Sequence, residues 1–139
     1  MKSVIVMAVF LCLLSCEKET ATPEALGGQD GIVGTWVEDT LRGDVKTLYR
    51  AGELDQDRYG FVIGEDGSYL ERKNSGWCAT PPIAYDNFEG SWTALSDSLL
   101  SITVGYWGGT MSYQIRILSV DELHLDIRYL YADNRADSR

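Results

Sequence analysis

The chain has 139 residues, with 21 acidic side chains against 12 basic ones and a formal net charge of −9. No cluster of Lys and Arg breaks that acidic balance, which excludes a phosphate-backbone surface for nucleic acid and electrostatic docking on anionic lipid. One His and three Cys leave little material for a metal site or a disulfide framework.

The chain opens with Met1-Lys2-Ser3 and then an unbroken apolar run from Val4 to Leu14. One positive charge followed by such a run is the pattern of an export signal. The run is shorter than the roughly 20 apolar residues a membrane-spanning helix needs. The residues that follow, Leu13-Leu14-Ser15-Cys16, resemble the lipobox of bacterial lipoproteins. The resemblance implies that residues 1–15 are a cleaved signal peptide and that Cys16 carries the lipid. Two or more acyl chains hold a protein stably on a bilayer, where a single chain does not. A membrane partnership through the Cys16 anchor is therefore expected, at the outer membrane, on its periplasmic side or at the cell surface. Glu17-Lys18-Glu19-Thr20 resembles the surface-export signal of Bacteroidetes lipoproteins, and reads equally as a solvated tether. Residues 16–30 contain Pro23 and the Gly27-Gly28 pair and have no hydrophobic period, as a flexible linker would.

From residue 31 the signal changes to period two. Alternation of apolar and polar residues predicts strands over 33–40, 45–50, 58–63, 68–73, 88–94, 98–105, 110–118 and 122–131, with 45–50 the weakest. Gly64-Glu65-Asp66-Gly67, Ser96-Asp97 and Ser119-Val120-Asp121-Glu122 are tight turns between them. No segment has a helical period. The expectation is an all-β domain over 31–132, an antiparallel up-and-down meander closed into a small barrel of about eight strands, because closure removes the exposed edges. A two-sheet sandwich is the alternative. A short disordered tail, 133–139, follows.

Gly34-Thr35-Trp36 at the first strand, the hairpin around Asp66-Gly67, Glu89-Gly90-Ser91-Trp92 and the closing Ile117 to Leu123 stretch occur in an order similar to that of small lipocalin-like lipoproteins of Bacteroidetes. The resemblance implies a lipocalin-like barrel and a small apolar or amphiphilic ligand, with Trp36 at the floor of its cavity. On the residues alone Trp36 is more readily a core aromatic closing one barrel end. Trp92 joins the same list of candidate contacts.

The connection from Ser75 to Asn87 is long for a chain of hairpins, and long ordered loops are often functional. Pro81-Pro82 stiffens it, and Trp77, Cys78 and Tyr85 are its candidate contacts, as a lid over a barrel mouth or a plug in it. Tyr106-Trp107 sits in a glycine-flanked turn, where the aromatics can stack on a ligand or partner or fold back on the sheet. Cys12 leaves with the signal and Cys16 is capped, so Cys78 is the one remaining thiol and no intrachain disulfide can form. Nothing in the sequence brings Cys78 to His124, the lone imidazole, as a nucleophile pair requires. Asp55-Gln56-Asp57 lacks the rest of a calcium loop. No catalytic residue, metal or cofactor is expected. Two roles remain: a binder of a small molecule, or a protein-interaction or structural envelope lipoprotein with a filled barrel.

Overall fold

A computed structural model of the chain describes residues 31–76 and 81–131. Eight strands follow one another: β1 (Gly34–Arg42), β2 (Val45–Ala51), β3 (Gly60–Ile63), β4 (Ser68–Asn74), β5 (Tyr85–Ser96), β6 (Leu99–Tyr106), β7 (Gly109–Val120) and β8 (His124–Leu130). They form a closed antiparallel up-and-down barrel in the order β1-β2-β8-β7-β6-β5-β4-β3, with β3 pairing back onto β1. The all-β class, the strand number and the closure are those the alternation predicts.

One connection leaves the simple meander. β1 lies between β2 and β3, so residues 52–59 cross the outside of β1 to reach β3. The crossing explains why Val37 is 1% exposed although its neighbour Trp36 takes the inward position. Val37 pairs with Gly60 on the outer face, beneath Leu54. A side chain at Gly60 would sit 2.6 Å from the Trp36 carbonyl oxygen and 3.0 Å from Leu54, so the close crossing requires glycine there.

The inward faces fill most of the barrel. Trp36, Leu48, Phe61, Ile63, Tyr69, Ile102, Ile115, Leu125 and Ile127 are each at most 2% exposed. Burying a side chain of this size stabilises by about 1.5–3 kcal/mol, and closure lets every strand contribute. Turn chemistry fixes the register. At the β3–β4 hairpin Gly67 has φ +84°, and Asp66 Oδ1 accepts the Ser68 N–H at 3.0 Å. The Ser68 side chain, and then that backbone bond, hold the Asp66 carboxyl below its ordinary pKa. Asp121 Oδ1 likewise accepts the backbone N–H groups of Leu123 and His124, each at 2.7 Å, between β7 and β8. Its carboxyl is lowered by the same bonds.

Register shifts occur between Glu38 and Thr40, between Ala94 and Ser96 and between Ile117 and Ser119. The first re-aims the end of β1, so that Leu41 pairs with Lys46 on the face that lines the barrel mouth. Strand β5 begins at Tyr85, earlier than the alternation suggests, because Asn74 and Tyr85 pair and Ser75 donates its N–H to the Ala84 carbonyl at 2.8 Å. The predicted long loop shortens accordingly. The signal, Cys16, the linker, Trp77, Cys78 and the C-terminal tail lie outside the described residues.

Candidate functional site

The two barrel ends differ in chemistry. One carries the chain entry and the β3–β4, β5–β6 and β7–β8 turns. It is sealed by Ile32, Trp36 and Trp92. Trp36 Nε1 donates to the Ile32 carbonyl at 2.8 Å, and Trp92 Nε1 donates to the Gly64 carbonyl at 2.8 Å. Both indoles are therefore buried with their one donor satisfied. Arg50, inward on β2, lies 4.2 Å from the Trp36 ring centre. Its guanidinium donates to the carbonyls of Val33 (2.8 Å), Gly31 (2.7 Å) and Glu122 (2.9 Å). One side chain thus ties the entering segment to the β7–β8 turn.

The opposite end carries the β1–β2 and β6–β7 turns and the β4–β5 connection. Here the barrel opens into a cavity of about 550 Å³, lined chiefly by Tyr59, Glu71, Lys73, Met111, Tyr113 and Tyr129. Leu41, Asp44, Lys46 and Tyr131 complete the rim. A volume of this size falls within the roughly 300–1,000 Å³ of small-molecule sites.

The cavity floor is polar. Strand β4 turns Tyr69, Glu71 and Lys73 inward in succession, and Glu71 is 4% exposed, the one buried charged residue among those described. Glu71 Oε1 accepts the phenol of Tyr59 at 2.8 Å and that of Tyr113 at 2.9 Å. Glu71 Oε2 meets Lys73 Nζ at 2.7 Å. Tyr129 hydrogen-bonds Tyr59, and Tyr69 lies 3.3 Å from Tyr113, phenol to phenol. Each carboxylate oxygen is satisfied, as a buried charge must be. Burial, and then the neighbouring phenols and Glu71, push the pKa values of Tyr59, Tyr69, Tyr113 and Tyr129 above the ordinary tyrosine value. The phenols are protonated donors at neutral pH.

Ring faces form the walls. Tyr113 and Tyr129 meet edge to face at 5.4 Å, and Tyr129 stacks on Tyr131 at 5.9 Å with 16° between planes. Lys46 Nζ sits 3.7 Å from the Tyr59 ring centre and pairs with Glu38. Chemically, the mouth offers flat apolar walls above a fixed hydrogen-bonding floor. Among the described residues no group of His, Cys, Asp and Glu can hold a metal ion.

The candidates from sequence separate accordingly. Trp36 and Trp92 pack at the sealed end, far along the barrel from the cavity. Tyr106 and Trp107 lie at the open end in the β6–β7 turn, 37% and 59% exposed, with rings edge to face at 5.9 Å. Tyr85 is at that end too, but it lines a separate polar pocket of about 200 Å³ with Glu38, Asp57 and Arg58. Sequence reasoning missed Glu71, Lys73, Lys46 and the tyrosine cluster as a site. The available signal was a carboxylate two residues after Tyr69 in a period-two strand, hence on the inward face. No family model, curated protein or solved structure matches the chain.

Proposed function

We propose that this chain is a lipid-anchored envelope lipoprotein, tethered to the outer membrane through Cys16, whose barrel holds one small amphiphilic molecule in its open mouth. The observation that carries the reading is the contrast between the two ends. One is sealed by satisfied indoles, while the other leaves about 550 Å³ above a buried carboxylate and four phenols. A ligand there places its body against Tyr113, Tyr129, Tyr131 and Met111 and its polar end on the floor. Gly31, the first described residue, is held at the sealed end, opposite the mouth.

The test is native mass spectrometry of the exported chain carrying Cys16→Ser, after exposure to an extract of envelope small molecules. A discrete added mass that is lost with Tyr113→Ala and Tyr129→Ala supports the reading. A bare mass throughout opposes it. Loss of the protein from the membrane fraction with Cys16→Ser in cells tests the anchor.

The exposed Tyr106–Trp107 pair on the same rim favours a second reading, an envelope protein partner held at that turn. Under it, Trp107→Ala abolishes cross-linking to the partner while Tyr129→Ala does not.

A further inference from the structure

We infer that the mouth selects an uncharged ligand whose polar end is a hydroxyl, and that Glu71 sets this preference by fixing the direction of every proton in the floor. The inference rests on the small-molecule reading above and names its ligand class.

A phenol has one proton to give. Glu71, ion-paired with Lys73, can only accept, so Tyr59 and Tyr113 both spend their protons on Oε1. The contact between Tyr59 and Tyr129 must then be donated by Tyr129, and that between Tyr69 and Tyr113 by Tyr69. All four phenolic protons run inward to one carboxylate. What Tyr129 keeps for the cavity it lines is lone pairs, so a ligand head that bonds its oxygen has to bring its own proton.

The charges narrow the class further. Lys46 is paired with Glu38, Lys73 with Glu71, and Asp44 with Arg128 at 2.7 Å. A carboxylate or ammonium head entering the mouth would lose water and find no uncompensated opposite charge, which is unfavourable. A hydroxyl meets both conditions. It donates to Tyr129 Oη and accepts from an N–H of Lys46 or Lys73, each of which has three. The stacked Tyr129 and Tyr131 rings and Met111 then cover a flat or aliphatic body.

The experiment uses three probes with one body and three heads: phenylbutanol, phenylbutanoate and phenylbutylammonium. Each is titrated at neutral pH into the exported chain carrying Cys16→Ser, followed by amide-proton NMR shifts along β4, β7 and β8. The alcohol should bind at least about tenfold more tightly than either charged probe, and its shifts should centre on Glu71, Tyr113 and Tyr129. In Glu71→Gln the amide donates into the floor, turns a phenolic proton towards the cavity and leaves Lys73 unpaired. The preference for alcohol over carboxylate should fall towards unity. If Glu71→Gln does not fold, the wild-type series alone decides the class. A charged probe binding as tightly as the alcohol overturns the hydroxyl class and leaves small-molecule binding standing. No saturable shift with any probe up to millimolar concentration overturns both. An unchanged preference in folded Glu71→Gln removes Glu71 from the role given to it.

Discussion

Replacing Arg50 by Ala strips the brace from the sealed end. Three carbonyls lose a charged donor: Gly31 and Val33 at partly buried positions, and Glu122 at an exposed one. Water replaces the exposed bond at little cost. The two partly buried bonds should each be worth about 1–1.5 kcal/mol, and the stack on Trp36 about 0.5–1 kcal/mol. The expected loss is therefore about 3 kcal/mol, a large share of the roughly 5–15 kcal/mol that holds a domain together. For a domain of about 100 residues that lowers Tm by about 12–24 °C. Urea unfolding followed by tryptophan fluorescence measures it, with the denaturant slope unchanged if the fold is retained. Arg50→Lys should recover less than half, since a single ammonium cannot fork to two carbonyls and lie flat on the indole. Gly34 adds an independent check. It has φ +137°, and a side chain there would come within 2.5 Å of Arg50 Nη1. Gly34→Ala should destabilise, and combining it with Arg50→Ala should cost less than the sum, because one part of its penalty is the collision with Arg50. A stability for Arg50→Ala within about 0.5 kcal/mol of wild type would refute the brace.

Other predictions concern the floor and the second indole. Glu71→Leu leaves two phenols and the Lys73 ammonium without their acceptor, and should cost about 3–5 kcal/mol in chemical denaturation, with partial recovery on adding Lys73→Met. Alkaline pH should unfold the barrel abruptly. The unfolded chain loses its tyrosine protons near pH 10, whereas Tyr59, Tyr69, Tyr113 and Tyr129 hold theirs to higher pH in the fold. Above about pH 10 the unfolded state binds fewer protons, so stability falls by up to about 1.4 kcal/mol per pH unit for each of them; below that pH these groups have no effect. Absorbance of tyrosinate should rise together with loss of near-ultraviolet circular dichroism, and a titration of all four phenols in a folded barrel would contradict the burial. Trp92→Phe keeps most of the packing but removes one of the two donors to the Gly64 carbonyl, which retains the Gly67 N–H at 3.2 Å, and should cost about 0.5–1.5 kcal/mol in a thermal melt.

The barrel was legible because its inward faces are apolar at alternate positions on nearly every strand. Strand β2 gave the faintest signal for a physical reason: its inward residues are Lys46, Leu48 and Arg50, so two of its three core-facing positions carry charge. The same cause hid the mouth. Glu71 and Lys73 looked like the polar end of a strand, yet they continue the inward row begun by Tyr69. Their partners Tyr59, Tyr113 and Tyr129 come from other parts of the chain, and their meeting depends on register. That register is set by bulges near Asp39 and Leu118, where the alternation slips by a residue, and by the crossing that puts β1 between β2 and β3. Hydropathy shows that strands exist; it does not show which of them touch.

The place of β1 between two antiparallel neighbours has a mechanical consequence. The segment entering the barrel leads directly into β1, which is bonded along both edges, to β2 over Thr35–Arg42 and to β3 over Gly34–Val37. A pull on residue 31 runs along β1 and loads both ladders in shear, so that many backbone bonds must give way together. A terminal strand peeled from a sheet edge would yield bond by bond. A domain loaded at residue 31 therefore resists being drawn apart at β1, where two ladders must fail at once rather than one bond after another.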